Sequence, residues 1–128
     1  MMKRVLAFCL ILSLLLCGCT NAVAEQNTYE QITQEAAKEM IDTQDVVILD
    51  VREQYEYDEL HILDAVLLPL GNITEESAAD VIPTKDSVVL VYCRSGNRSK
   101  QASDKLVALG YTQVFEFGGI NTWQYEVE

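Results

Sequence analysis

An α/β domain, with a mainly parallel sheet of about five strands and helices on both faces, is the fold class this sequence predicts, and three observations predict it. Short mainly apolar runs, Val46–Leu49, Ala65–Leu68, Val88–Tyr92 and Val114–Phe117, punctuate the chain, and the β-branched-rich Val88–Tyr92 lacks the polar alternation of a half-exposed sheet. They read as strands buried on both sides. Segments of helical periodicity lie between them, and strands alternating with helices build parallel sheets. The junctions carry start and stop signals: Thr33 and Thr74 before helices, Pro83 and Gly110 after them.

Taken in order, the chain begins Met1-Met2-Lys3-Arg4 and continues with the apolar run Val5–Leu16. That run falls short of the roughly 20 residues a membrane-spanning helix needs, so a secretory signal peptide is expected. Its end, Leu16-Cys17-Gly18-Cys19, resembles the lipobox of bacterial lipoproteins. The resemblance implies cleavage before Cys19, a lipid on the Cys19 sulfur, and an exported protein anchored to the extracytoplasmic face of the cell membrane. The expected division is residues 1–18 as signal peptide, 19–28 as lipidated cysteine and flexible tether, and 29–128 as one domain.

Within the domain, Tyr29–Ile32 reads as a first strand. Thr33 caps a helix from Gln34 to about Ile41, with Ala36, Ala37, Met40 and Ile41 on its apolar face. The strand Val46–Leu49 ends at Asp50, and Pro69 stops the strand Ala65–Leu68. Thr74 caps an acidic-start helix to about Ile82. The strand Val88–Tyr92 follows, then a helix over Ser99–Leu109 with Gly110 at its C′ position, and the strand Val114–Phe117 leads to Gly118-Gly119 and Trp123.

The formal charge of the whole chain is −11, and loss of Lys3 and Arg4 with a signal would make it −13. Nucleic acid is excluded as a natural partner by that charge. Of four cysteines, Cys9 and Cys17 would leave with the signal and Cys19 would carry lipid, so Cys93 is expected as the one free thiol. No Cys-x-x-Cys pair remains for redox or zinc chemistry.

Cys93 ends a buried strand and opens the loop Arg94-Ser95-Gly96-Asn97-Arg98-Ser99 before a helix. Ligands of parallel sheets bind at the carboxyl ends of strands. Gly96 lets the backbone curl so that several N–H groups point inward, and the helix start adds partial positive charge. Arg94 and Arg98 stand where the helix dipole disfavours cations by roughly 0.3 to 1 kcal/mol each, so a negative group is expected beside them. A Cys93 thiolate is the natural one, because such surroundings lower a thiol pKa.

Three separated motifs then agree. Asp50-Val51-Arg52, Glu56-Tyr57, His61-Ile62, Ala65 and Pro69 resemble the amino-terminal signature of the rhodanese family; Cys93–Ser99 resembles its active-site loop, and Gly118-Gly119-Ile120 with Trp123 its carboxy-terminal signature. Leu60 and Asp64 depart from the pattern, standing in a connecting loop where the family often has Gly. The resemblance implies a rhodanese-like fold and a sulfurtransferase that needs no metal or organic cofactor. Cys93 would take sulfur from a donor such as thiosulfate or a persulfide, hold it as a cysteine persulfide, and pass it to cyanide or a thiol. Residues Arg94 to Ser99 would bind substrate, their N–H groups stabilising the persulfide and the two arginines attracting an anionic donor. Asp50, Arg52 and His61 are expected to be structural, with His61 and Arg52 tying the loop to Asp50 or Glu56. A monomer is expected.

Two other readings are set against this one. A persulfide carrier or docking module would use the same thiol without turnover. A phosphatase or arsenate reductase would use a related cradle, but those loops run Cys-x5-Arg, whereas here Arg98 closes Cys-x4-Arg.

Overall fold

A computed structural model of the protein describes residues 27–128. The expected signal, Cys19 and the tether as far as residue 26 lie outside the described residues. Asn27, within the expected tether, donates from Nδ2 to the Tyr111 carbonyl at 2.6 Å.

Five parallel strands form one sheet. In chain order they are β1 (Glu30–Gln31), β2 (Val47–Asp50), β3 (Val66–Leu67), β4 (Val88–Cys93) and β5 (Gln113–Gly119), and across the sheet they run β1-β5-β4-β2-β3. The helices are α1 (Gln34–Thr43), α2 (Gln54–Glu59), α3 (Glu75–Val81) and α4 (Asn97–Ala108), with single 3-10 turns at Leu70–Asn72 and Ile120–Thr122.

The side-chain period of two divides the core. Leu49, Val89, Val91 and Cys93 face one side with Ala78 of α3 and Ala102 and Leu106 of α4. Ile48, Leu90 and Tyr92 face the other, with Ala37 of α1 and the partly buried Tyr57 of α2. Central β4 is therefore buried on both faces, which is why its sequence is an unbroken apolar run. Thr33 and Thr74 cap α1 and α3 as expected, each hydroxyl accepting a backbone N–H at 3.1 Å.

From β2 the chain crosses to β3 at one side, and from β4 it crosses to β5 at the other. The carboxyl ends of β2 and β4 therefore flank a topological switch point, where parallel sheets leave a crevice for ligands. Asp50-Val51-Arg52 and the Cys93 loop both emerge there.

Some boundaries differ from expectation. Helix α4 begins at Asn97, two residues early, because Gly96 at φ 105° turns the strand directly into the helix. Helix α2 has no counterpart in the sequence reading: Gln54-Tyr55-Glu56-Tyr57-Asp58-Glu59 is too short and too polar to show a stripe. It forms because Glu56 Oε2 accepts the Glu53 N–H at 2.9 Å and Tyr57 packs inward. Asp64 adopts φ 65°, the left-handed region that glycine favours and that Asp tolerates, so the departure from the family pattern leaves the turn intact.

Candidate active site

Buried cradle at the end of β4. Cys93 is 1% exposed, and the backbone folds around its sulfur. The Gly96 N–H donates to Sγ at 3.0 Å, and Sγ lies 3.3 Å from Ser99 Oγ. Burial pushes the thiol up, but the Ser99 hydroxyl and the N–H groups of Ser99, Gly96 and Ser95 outweigh it and leave the thiol below its ordinary value. The amino terminus of twelve-residue α4 adds its dipole in the same sense.

The rest of the loop divides by role. Arg94, Ser95 and Asn97 are exposed, and Arg94 makes no ion pair among the described residues. Arg94 borders a cleft of about 200 Å³ together with Arg52, Glu59, Leu60, Ile120 and Asn121. Arg98 behaves differently from expectation: its guanidinium is held by Glu56 in a two-pronged pair at 2.7 and 2.9 Å, so its charge is spent on α2 rather than left for a donor. The Arg98 pairing leads the causes that hold the Glu56 carboxyl down at about 2. The negative group expected beside the arginines is, for Arg98, the Glu56 carboxylate.

A glycine shapes the back of the loop. Gly119 lies so close to the Arg94 carbonyl and the Ser95 nitrogen that a Cβ there would overlap both. The Asn121 N–H fastens the same carbonyl at 3.2 Å. Strand β5 carries one extra residue here, Val91 pairing with Glu116 but Cys93 with Gly119. Such a bulge re-aims side chains beside a site. Glu116 itself lies before the bulge, paired with Val91 and therefore on the face of Val91 and Cys93, where its Oε1 accepts from the Gly118 N–H at 2.8 Å and the Ser99 hydroxyl at 2.6 Å.

Asp50 and Arg52 form the structural base. Arg52 grips the fully buried Asp50 carboxylate through Nε at 3.0 and 3.1 Å and through a second nitrogen at 2.7 Å, and it also donates to the Leu60 carbonyl at 2.7 Å. Tyr92 donates to Asp50 at 2.6 Å and accepts from the Ile62 N–H at 3.1 Å, so the loop after α2 is bolted to β2 and β4. His61 meets neither Asp50 nor Glu56, the partners expected for it. Nδ1 meets the Tyr57 carbonyl at 2.8 Å, Nε2 meets Glu128 at 3.1 Å, and the ring stacks on Tyr57 at 3.7 Å.

Two functional-looking carboxylates escaped the sequence reading. In the sequence Glu56 stands in the amino-terminal motif as a candidate partner for Arg52 or His61, and Glu116 stands within a strand. A charged residue inside the apolar run Val114-Phe115-Glu116-Phe117 was the available signal for the second.

Comparison with known proteins agrees with this geometry. Residues 33–126 match the family described as "Rhodanese-like domain". The chain is 39% identical over 98 residues to the thiosulfate sulfurtransferase GlpE of Coxiella burnetii (strain RSA 493 / Nine Mile phase I), covering 75% of this chain and 88% of that protein. It is 38% identical over 72 residues to the thiosulfate sulfurtransferase PspE of Escherichia coli (strain K12), covering 56% of this chain and 68% of that protein. Among solved structures it resembles a rhodanese with anions from E. coli, with a TM-score of 0.61 and 32% identity over 66% of this chain and 98% of the other. A thiol cradled by backbone N–H groups at the switch point of a parallel sheet, followed by the close approach at Gly119, places the chain in the rhodanese family.

Proposed function

We propose that this protein is a rhodanese-type sulfurtransferase that carries sulfane sulfur on Cys93. One observation carries the reading: the buried Sγ faces the Gly96 N–H at 3.0 Å in a loop whose donors favour the thiolate. The thiolate attacks the outer sulfur of a donor such as thiosulfate, sulfite leaves with the electron pair of the broken S–S bond, and a persulfide remains. Cyanide or a thiol then removes that sulfur. The donors that favour the thiolate also stabilise the persulfide anion, and exposed Arg94 beside the cleft attracts an anionic donor.

Purified protein mixed with thiosulfate and cyanide is expected to yield thiocyanate, and Cys93→Ser to yield none. Full turnover by Cys93→Ser would overturn the assignment. A mass gain of about 32 Da on Cys93 that no acceptor removes would instead favour the carrier reading. Export with a lipid on Cys19 is a companion proposal, resting on the pattern of residues 3–19. Lipid labelling should be lost in Cys19→Ala; label retained there would refute it.

A further inference from the structure

Glu116 is 3% exposed and forms no ion pair among the described residues. A carboxylate so buried is costly unless its charge has a purpose or a partner. Its two hydrogen bonds both fall on Oε1: the Gly118 N–H at 2.8 Å and the Ser99 hydroxyl at 2.6 Å. Ser99 in turn lies 3.3 Å from the Cys93 sulfur, and that contact has the thiol donating and Ser99 accepting. The groups Cys93, Ser99 and Glu116 thus form one line of hydrogen bonds running from the nucleophile into the sheet.

Ser99 has a single hydroxyl proton and three claimants for it, Glu116 Oε1 at 2.6 Å, the Cys93 sulfur at 3.3 Å and the Gly118 carbonyl at 3.4 Å, of which the carboxylate is nearest. Given to Glu116, that proton leaves an oxygen lone pair facing the thiol. A thiolate needs the reverse, an O–H aimed at sulfur. We propose that Ser99 and Glu116 form a proton relay that draws the proton from Cys93 as its sulfur becomes the nucleophile, making Glu116 a positioning residue for sulfur transfer. The proposal rests on the sulfurtransferase reading above and adds a residue to it.

The step balances as follows. The Sγ–H bond breaks as that proton bonds to Ser99 Oγ, and the former Oγ proton bonds to Glu116 Oε1. Cys93 becomes an anion, Glu116 becomes a neutral acid, and the triad keeps one negative charge throughout. Two buried anions never stand behind the same loop. The thiolate then forms the S–S bond to the outer sulfur of thiosulfate, and sulfite departs with the displaced electron pair. When cyanide takes the sulfur as thiocyanate, the pair returns to Sγ and the proton travels back through Ser99.

The surroundings leave the relay a path for exchange. Glu116 borders an open recess with Gln31, Gln34, Ser95, Gly96 and Lys100, and this recess shares no lining residue with the cleft beside Arg94. Protons can therefore exchange with water through this recess rather than through the cleft beside Arg94. The charged and titratable groups facing the triad are Lys100 from α4, Tyr29 ahead of β1, and Arg98, which acts on the sulfur but is itself held by Glu56.

The test is the pH dependence of Cys93 alkylation by iodoacetamide, which needs no sulfur donor, in the purified protein and its Glu116→Gln variant. Glutamine keeps an oxygen for Ser99 and Gly118 but cannot accept the proton. The relay predicts alkylation slower by about tenfold or more near pH 6, an acid limb moved up by about one pH unit, and recovery to the wild-type rate at alkaline pH. Simple removal of a nearby negative charge predicts the opposite sign, a limb moved down. A limb that moves down, stays in place, or drops equally at every pH overturns the proposal. Ser99→Ala should show the same displacement, and the double variant no more than that of either single change.

If Glu116→Gln does not fold, the wild-type protein still decides. Its difference infrared spectrum should gain a protonated carboxyl band when thiosulfate converts Cys93 to the persulfide, with the band moving in protein labelled with ¹³C at Glu. Persulfide without that band overturns the relay. Alkylation showing the predicted profile in protein that takes up no sulfur would refute the sulfurtransferase reading and leave the relay standing.

Discussion

Replacing Glu56 with Gln isolates the ion pair that ties α2 to the start of α4. In the folded protein the carboxyl is held at about 2, first by its two hydrogen bonds from Arg98 and then, against the cost of burial, by the Glu53 N–H. The ordinary value is about 4.3, so the depression exceeds two units, and at about 1.4 kcal/mol per unit it corresponds to roughly 3 kcal/mol. The Glu56 side chain is 9% exposed but that of Arg98 is 30%, so solvent screening brings the expected loss nearer 2 kcal/mol. For a domain of this size that lowers Tm by about 8 to 16 °C. Because the folded value is the lower one, the contribution is complete above about pH 5 and fades as pH falls toward 2. Urea unfolding of both proteins at pH 7 and at successively lower pH measures this. The two curves should converge as Glu56 becomes protonated in the wild type. A difference below about 0.5 kcal/mol at neutral pH, or one that does not shrink in acid, would refute the reasoning.

Other substitutions probe the loop and its base. Gly119→Ala pushes a methyl group into the Arg94 carbonyl and so displaces the cradle; kcat/KM for thiocyanate formation should fall by about a hundredfold while circular dichroism stays native, and wild-type turnover would refute the close approach. Tyr92→Phe leaves the Ile62 N–H without its acceptor and takes one donor from Asp50, both in buried surroundings, so urea unfolding should show a loss of about 2 kcal/mol. An unchanged midpoint for that variant would mean water replaces the hydroxyl.

Much of the fold was legible because β2, β4 and β5 are apolar enough to announce burial, and because threonine caps and Gly110 mark helix ends by local chemistry. Helix α2 was not legible. Its six residues, four of them charged or amide, bury too little to form a pattern, and what holds it is Tyr57 against the core and Glu56 against Arg98, forty-two positions apart in the chain. The cradle at Cys93 could be anticipated because a strand, a glycine and a helix start are neighbours in sequence. The partners of Arg98 and His61 could not, since opposite charges are plentiful in an acidic chain and only the path of the backbone selects among them.

By itself the sequence determined the class of fold, the thiol that ends β4 and the loop that curls around it, because these depend on hydrophobic period and on residues within a few positions of one another. Tertiary structure decided which charges cancel. It joined Glu56 to Arg98, left Arg94 exposed beside the cleft, and through the register of β5 against β4 brought Glu116 to Ser99. The physical reason is range. Periodicity and capping act over a turn of helix or a pleat of strand, whereas a hydrogen bond between side chains of different elements exists only once the sheet has set their register.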